Sequence, residues 1–154
     1  MATFGQIAEK IKSIDLNKIF YDIMSEDFVK DWIIESNLKQ LSDAGENKYG
    51  EKLQTYKGKK NGMPYAMFTI SHKSTFGHGI GKITDHVTLY QTGSFYKSFK
   101  VFTKKGEFSI KADERDIADN IDMTGVVGLN AENWRLLVWK IVYPRFLKRI
   151  QNVL

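Results

Sequence analysis

Four stretches carry side chains whose types and spacing could do chemistry. The first is FGHGIGK, residues 76–82, where glycines would let backbone amides approach a phosphate and Lys82 would add charge. A Walker A loop also requires a glycine where Phe76 stands and a Ser or Thr where Ile83 stands, so the stretch reads as a flexible connector. The second is His72, His78 and His86. Zinc wants its ligands closed around it, with outer hydrogen-bond partners, and the glycines between these histidines fix no such geometry. Exposed or strand-end histidines are the expectation. The third is ADERDIADNID, residues 112–122, in which Asp113, Asp116 and Asp119 could hold a hard cation or act as acid and base. Acids are also what the first turn of a helix favours, and no nucleophile elbow, zincin pattern or partner base accompanies them. The fourth interleaves aromatic and basic residues: Tyr90, Phe95, Tyr96, Lys97, Phe99 and Lys100. Single-stranded nucleic acid stacks on such platforms. Alternation along a strand buries one face, however, which makes Phe95 and Phe99 core residues and leaves the lysines to line a surface passed by DNA. No catalytic set is complete in these stretches, and no cofactor or metal is expected at them.

The 154 residues suit one domain with a substantial core, and 42% hydrophobic with 13% aromatic content fits a globular chain. No apolar run approaches the roughly 18–20 residues of a membrane span. The opening MATFGQIAEKIKSIDL mixes charge with apolar residues at helical spacing, unlike a signal peptide. The absence of cysteine removes disulfides, thiolate metal sites and a cysteine nucleophile, and suggests a reducing interior or a particle assembled there. The net charge of +5 is unevenly spread. Residues 1–50 hold six lysines against nine acids, whereas residues 51–110 hold ten lysines against three. That asymmetry marks either a solvated face or an anionic partner.

These side chains need elements to position them. Phe4, Ile7, Ile11 and Ile14 predict an amphipathic helix that Asp15 or Asn17 restarts through Leu16, Ile19, Phe20 and Ile23. Ser25, followed by Glu26 and Asp27, reads as the N-cap of a second helix carrying Phe28, Trp32, Ile33 and Leu38, with Gly45 as its stop. Residues 45–62 read as a long, basic, exposed connection. Strands are expected over residues 63–71, 86–91, 99–103 and 107–112, the last two joined by a Lys104-Lys105-Gly106 hairpin. Asp113 would cap a short helix through Ile121. Asn130 would cap a final helix with Trp134, Leu137, Val138, Ile141, Val142, Phe146 and Ile150 inward and a kink at Pro144. The predicted fold is α+β: two N-terminal helices, a mostly antiparallel sheet of about four strands, and a C-terminal helix. One domain would span residues 1–154, helical over 1–45, basic loop and strands over 46–112, and short helix plus C-terminal helix over 113–154.

The stretch HVTLYQTGSFYKSFKV, followed by GEFSIKAD, resembles the T-G-x-[LF]-x-x-S-[IF] signature of tail-completion (neck, head–tail joining) proteins of tailed bacteriophages. The matching positions are Thr92, Gly93, Phe95, Ser98 and Phe99. KQLSDAGENKYGEKLQTYKG resembles the loop after the second helix of related phage and prophage proteins, and GLNAENWRLLVWKIVYPRFLKRI resembles their C-terminal helix, so the likeness covers roughly residues 33–150. The glutamate-glycine-threonine turn that many members carry after the strands is missing. The resemblance implies a non-enzymatic virion component with an α+β fold, assembled in the bacterial host cytoplasm. It would form a ring between head connector and tail. Its partners would be further copies of itself, portal or connector and tail proteins, and DNA passing through the channel, with no membrane. Lys57, Lys59, Lys60, Lys73, Lys82, Lys104 and Lys105 are then the candidates to face that channel or a partner. Locally, Thr92 would cap a short turn, Gly93 would supply an unusual backbone angle, and Phe95 and Phe99 would pack together. The alternatives are a nucleic-acid-binding module using the lysine-rich middle third and, third, a small hydrolase using the acidic run.

Overall fold

The computed structural model describes residues 3–77, 79–90, 93–104, 107–115 and 121–152. Helix α1 (Phe4–Lys12) opens with a capping box. Thr3 accepts from the Gln6 amide at 3.3 Å while its own N–H donates to the Gln6 side chain at 2.8 Å. Asp15 restarts the chain by accepting from the Lys18 amide at 2.9 Å, and α2 (Leu16–Met24) follows. Helix α3 (Asp27–Lys39) widens into a π-helical turn (Gln40–Ala44) and ends at Gly45, whose φ of 61° is left-handed. The expected stop at Gly45 is where the helix ends. The expected cap at Ser25 is not. Ser25 closes α2 and donates to the Thr103 hydroxyl at 3.1 Å, while α3 starts after Glu26 without a side-chain cap. The Glu26 carboxylate is instead held by Arg145 at 3.1 Å and Arg149 at 2.6 Å from the far end of the chain.

The sheet is smaller than the sequence suggests. Strands β1 (Lys100–Lys104) and β2 (Glu107–Lys111) form one antiparallel pair, with Val101 opposite Ile110 and Lys104 opposite Glu107. Among the described residues the four-stranded sheet does not form, because the other two expected strands satisfy their backbones differently. Residues 63–71 lead into helix α5 (Met67–Phe76), following the short α4 (Tyr56–Lys59). Within that helix the Ser74 and Thr75 hydroxyls donate to the Ser71 carbonyl at 2.9 and 3.0 Å. Residues 86–90 have no ladder partner among the described residues. The Thr88 N–H donates to the Tyr65 hydroxyl at 2.9 Å, and the Thr88 carbonyl accepts from the Tyr96 hydroxyl. Two tyrosines thus do for Thr88 what a neighbouring strand would do.

The rest of the middle third is likewise less open than expected. Leu53 and Asn47 are buried within the supposed exposed connection, and Thr55 forms an antiparallel bridge with Ile121. The helix expected from Asp113 to Ile121 falls for the most part outside the described residues, as does the Lys105-Gly106 turn. Asp113 and Glu114 are not helical.

Asn130 caps the final helix as expected, accepting from the Asn133 amide at 3.0 Å. That helix runs as α7 (Ala131–Leu136), a π-helical segment (Leu137–Val142) and α8 (Tyr143–Gln151). Pro144 has no N–H to give to the preceding turn, and the wider π segment sits directly before it. Next to it, the Arg145 guanidinium turns back to donate to the Ile141 carbonyl at 3.2 Å. Leu137, Ile141 and Val142 are buried, but Trp134 and Val138, expected inward, stay exposed.

Two apolar clusters result. Ile23, Met24, Val29, Ile33, Leu129, Leu137, Ile141 and Val142 join α2, α3 and the final helix, and the inner face of the hairpin (Val101, Phe108, Ile110) lies on them. Leu41, Leu53, Tyr65, Val87, Phe95, Phe99, Ile121 and Val126 gather the loops around the second cluster. Between them runs a polar clamp. Asn37 donates to the Gly128 carbonyl at 3.0 Å and accepts from the Gly128 N–H at 2.9 Å, while Gln40 accepts from the Asn130 amide at 2.8 Å.

Candidate functional site

The signature turn is built into the second cluster. Gly93 has φ 81° and precedes α6 (Ser94–Lys97). The backbone angle favours glycine, and a Cβ at Gly93 would stand 3.2 Å from the Tyr90 hydroxyl, so the Tyr90 ring would have to give by a few tenths of an ångström. Phe95 and Phe99 are buried, with ring centroids 5.1 Å apart in an edge-on contact. Ser98 donates to the Phe95 carbonyl at 2.6 Å and accepts from the Asp113 amide at 2.8 Å, tying the turn to the end of β2. Thr92 lies outside the described residues. Burial pushes the Tyr96 and Tyr65 hydroxyls above the ordinary tyrosine range, so both stay protonated. The described part of the turn is tied to the core through Phe95, Tyr96, Ser98 and Phe99.

The basic candidates are spread over several elements. Lys57, Lys59 and Lys60 are exposed on and after α4, Lys82 is exposed in a short 3₁₀ turn (Gly79–Lys82), and Lys104 is exposed at the end of β1. Lys73 points inward: its ammonium donates to the Gly81 carbonyl at 3.0 Å and sits 4.9 Å from the centre of the Tyr65 ring. Burial lowers its pKa from the ordinary lysine value. Lys105 lies outside the described residues.

The other candidate groups are separately engaged. His86 bonds the Ser42 carbonyl at 2.7 Å through one ring nitrogen and Asp85 at 2.9 Å through the other. His72 stands on α5 between Phe68 and Phe76. His78 lies outside the described residues, as do Asp116 and Asp119. Among the described residues no group of three or more His, Asp or Glu could hold a metal ion. Asp113 is gripped by the Arg115 guanidinium, which holds its carboxyl down to about 2. A carboxylate so occupied is a poor general base at neutral pH.

What the sequence reasoning missed is uncovered apolar surface. Helix α1 has no buried residue, and its stripe leaves Phe4 90% and Ile11 54% exposed. On the final helix Trp139 is 61% exposed and meets Tyr143 edge-on at 5.3 Å, with Leu147 exposed one turn further. On α5 Phe68 is 80% and Phe76 66% exposed. The helical spacing of Phe68, His72 and Phe76 is present in the sequence, but it spans the boundary between the expected strand over 63–71 and the glycine-rich connector that follows. No described helix is long and apolar enough to cross a membrane.

Fold and site together define a mixed helix-and-hairpin protein with a locked signature turn and several uncovered apolar faces. No protein-family model, curated protein or solved structure matches this chain.

Proposed function

We propose that this chain is a structural component of a tailed-bacteriophage virion that assembles into a ring at the neck and joins the head connector to the tail. The observation that carries the reading is the pair of uncovered apolar faces on α1 and on the final helix, exposed at Phe4, Ile11, Trp139, Tyr143 and Leu147. Water-exposed apolar patches of this kind mark interaction surfaces. Closing a ring head to tail joins two different faces of each subunit, and these two differ in sequence and shape. The surplus of acids in residues 1–50 and of lysines in residues 51–110 adds a means of orienting neighbours. The likeness of the Gly93–Phe99 turn to the tail-completion signature supplies the place of such a ring in the virion. On this reading the protein works by docking and performs no catalytic step. It assembles in the host cytoplasm and remains in the particle with portal and tail proteins. The test is the mass of the purified chain, alone and with portal and tail proteins: a closed multimer supports the reading, and a chain that stays monomeric and is missing from purified particles overturns it.

A further inference from the structure

We infer that α4, α5 and the 3₁₀ turn after them form a docking surface for single-stranded nucleic acid, with the Phe68–His72–Phe76 row as its stacking face. The inference goes beyond the ring reading and does not depend on it. These elements behave as one piece. The Thr55 N–H donates to the Pro64 carbonyl at 2.9 Å, the Met63 N–H to the Gly58 carbonyl at 3.0 Å, and the Lys73 ammonium to the Gly81 carbonyl at 3.0 Å. The chain has no carboxylate between Glu51 and Asp85, a stretch that contains six lysines. Lys52 turns back to Glu46 at 3.0 Å and Lys73 turns inward, which leaves Lys57, Lys60 and Lys82 exposed on the elements before and after α5, with Lys59 exposed and near Asp122. Phosphates are attracted to such a surface whatever the base sequence.

The row itself follows from helix geometry. Phe68, His72 and Phe76 recur every four residues, so they share the outward side of α5, with ring centroids 6.3 and 5.1 Å apart. Ile70 and Lys73 take the inward side. Exposed aromatic rings beside lysines are the pairing by which proteins hold unpaired bases, and a base can stack on each without being read. A lipid surface is the less suitable occupant. An interfacial helix separates an apolar face from a polar one, whereas the Ser71 and Thr75 side chains lie among the rings on the outward side of α5.

The test is fluorescence anisotropy of the full chain with labelled oligothymidylate at several salt concentrations. Vesicles of phosphatidylcholine and phosphatidylserine and the oligomer mass are measured in parallel. Phe68→Ala and Phe76→Ala should each weaken oligothymidylate binding on the order of tenfold. Replacing Lys57, Lys59 and Lys60 together by Gln should flatten the logarithmic salt slope by about 2. Both aromatics are exposed, so the variants should melt with the parent. The inference is overturned if the parent does not bind oligothymidylate at low salt, or if folded Phe68→Ala and Phe76→Ala bind it as the parent does. It is equally overturned if the chain binds the vesicles and not the oligonucleotide, or if these substitutions change only the oligomer mass.

Discussion

The hydroxyl of Tyr65 accepts the backbone N–H of Thr88 at 2.9 Å, across 23 residues of sequence and in a buried setting. Thr88 is fully buried, and its carbonyl is bonded by the second tyrosine, Tyr96, from the signature turn. Side-chain hydroxyls thus satisfy a segment that looks like a strand in sequence. Tyr65→Phe keeps the ring in the core and strands the Thr88 N–H. It should cost about 1–3 kcal/mol of unfolding free energy, read by denaturant titration. An unchanged midpoint would mean that water replaces the hydroxyl.

The same two tyrosines set an alkaline limit. Their folded-state pKa values lie above the ordinary value of 10.0, chiefly because burial disfavours the phenolate. A raised folded pKa means that the stabilisation is fully present below the unfolded value and is lost as pH rises through the folded one. The melting temperature should therefore fall beyond about pH 10, with tyrosinate absorbance growing as the protein unfolds. Tyr65→Phe and Tyr96→Phe should each make that fall shallower relative to their own neutral-pH melting. An equally steep fall in both variants would assign the limit to other groups.

Asn37 pairs with both peptide groups of Gly128, joining α3 to the loop before the final helix. Asn37→Ala leaves the Gly128 N–H without this acceptor and should cost about 2 kcal/mol. Asn37→Asp should be worse at neutral pH, because a buried carboxylate would face the Gly128 carbonyl. Its pKa would be raised, so stability should recover as pH falls. Melting curves at neutral and mildly acidic pH decide this; an Asn37→Asp variant insensitive to pH would contradict it.

Gly93→Val must place a branched side chain at φ 81° and beside Tyr90, and Phe99→Ala empties a buried ring site. The first should cost roughly 2 kcal/mol and the second about 3–5 kcal/mol. Assembly should fall together with melting temperature in both. Normal melting with lost assembly would instead make the turn a contact surface.

Much of this architecture was legible in the sequence where local signals decide it. The stripes of α1 and α2, the Asn130 cap, the stop at Gly45 and the β1–β2 hairpin all obey simple periodicity or turn chemistry. The failures have two causes. Residues 63–71 and 86–90 are rich in strand-prone side chains, but their hydrogen bonds go to α5 itself and to Tyr65 and Tyr96. Tyr65 lies 23 residues from Thr88, beyond any spacing rule, whereas the bonds of α5 are local and its four-residue aromatic spacing was present in the sequence. The burial of Phe95 and Phe99 was readable from the signature turn, whereas the exposure of Phe68 and Phe76 depended on the helix that was missed.

The mass of the assembled chain tests the central claim most directly. Native mass spectrometry of the purified protein, alone and with portal and tail proteins, should show a closed ring of several copies. Ile11→Glu and Trp139→Glu, each at a side chain more than half exposed, should return it to monomer without lowering the melting temperature. A protein that stays monomeric at every concentration and with those partners, and is missing from purified phage particles, would contradict the account.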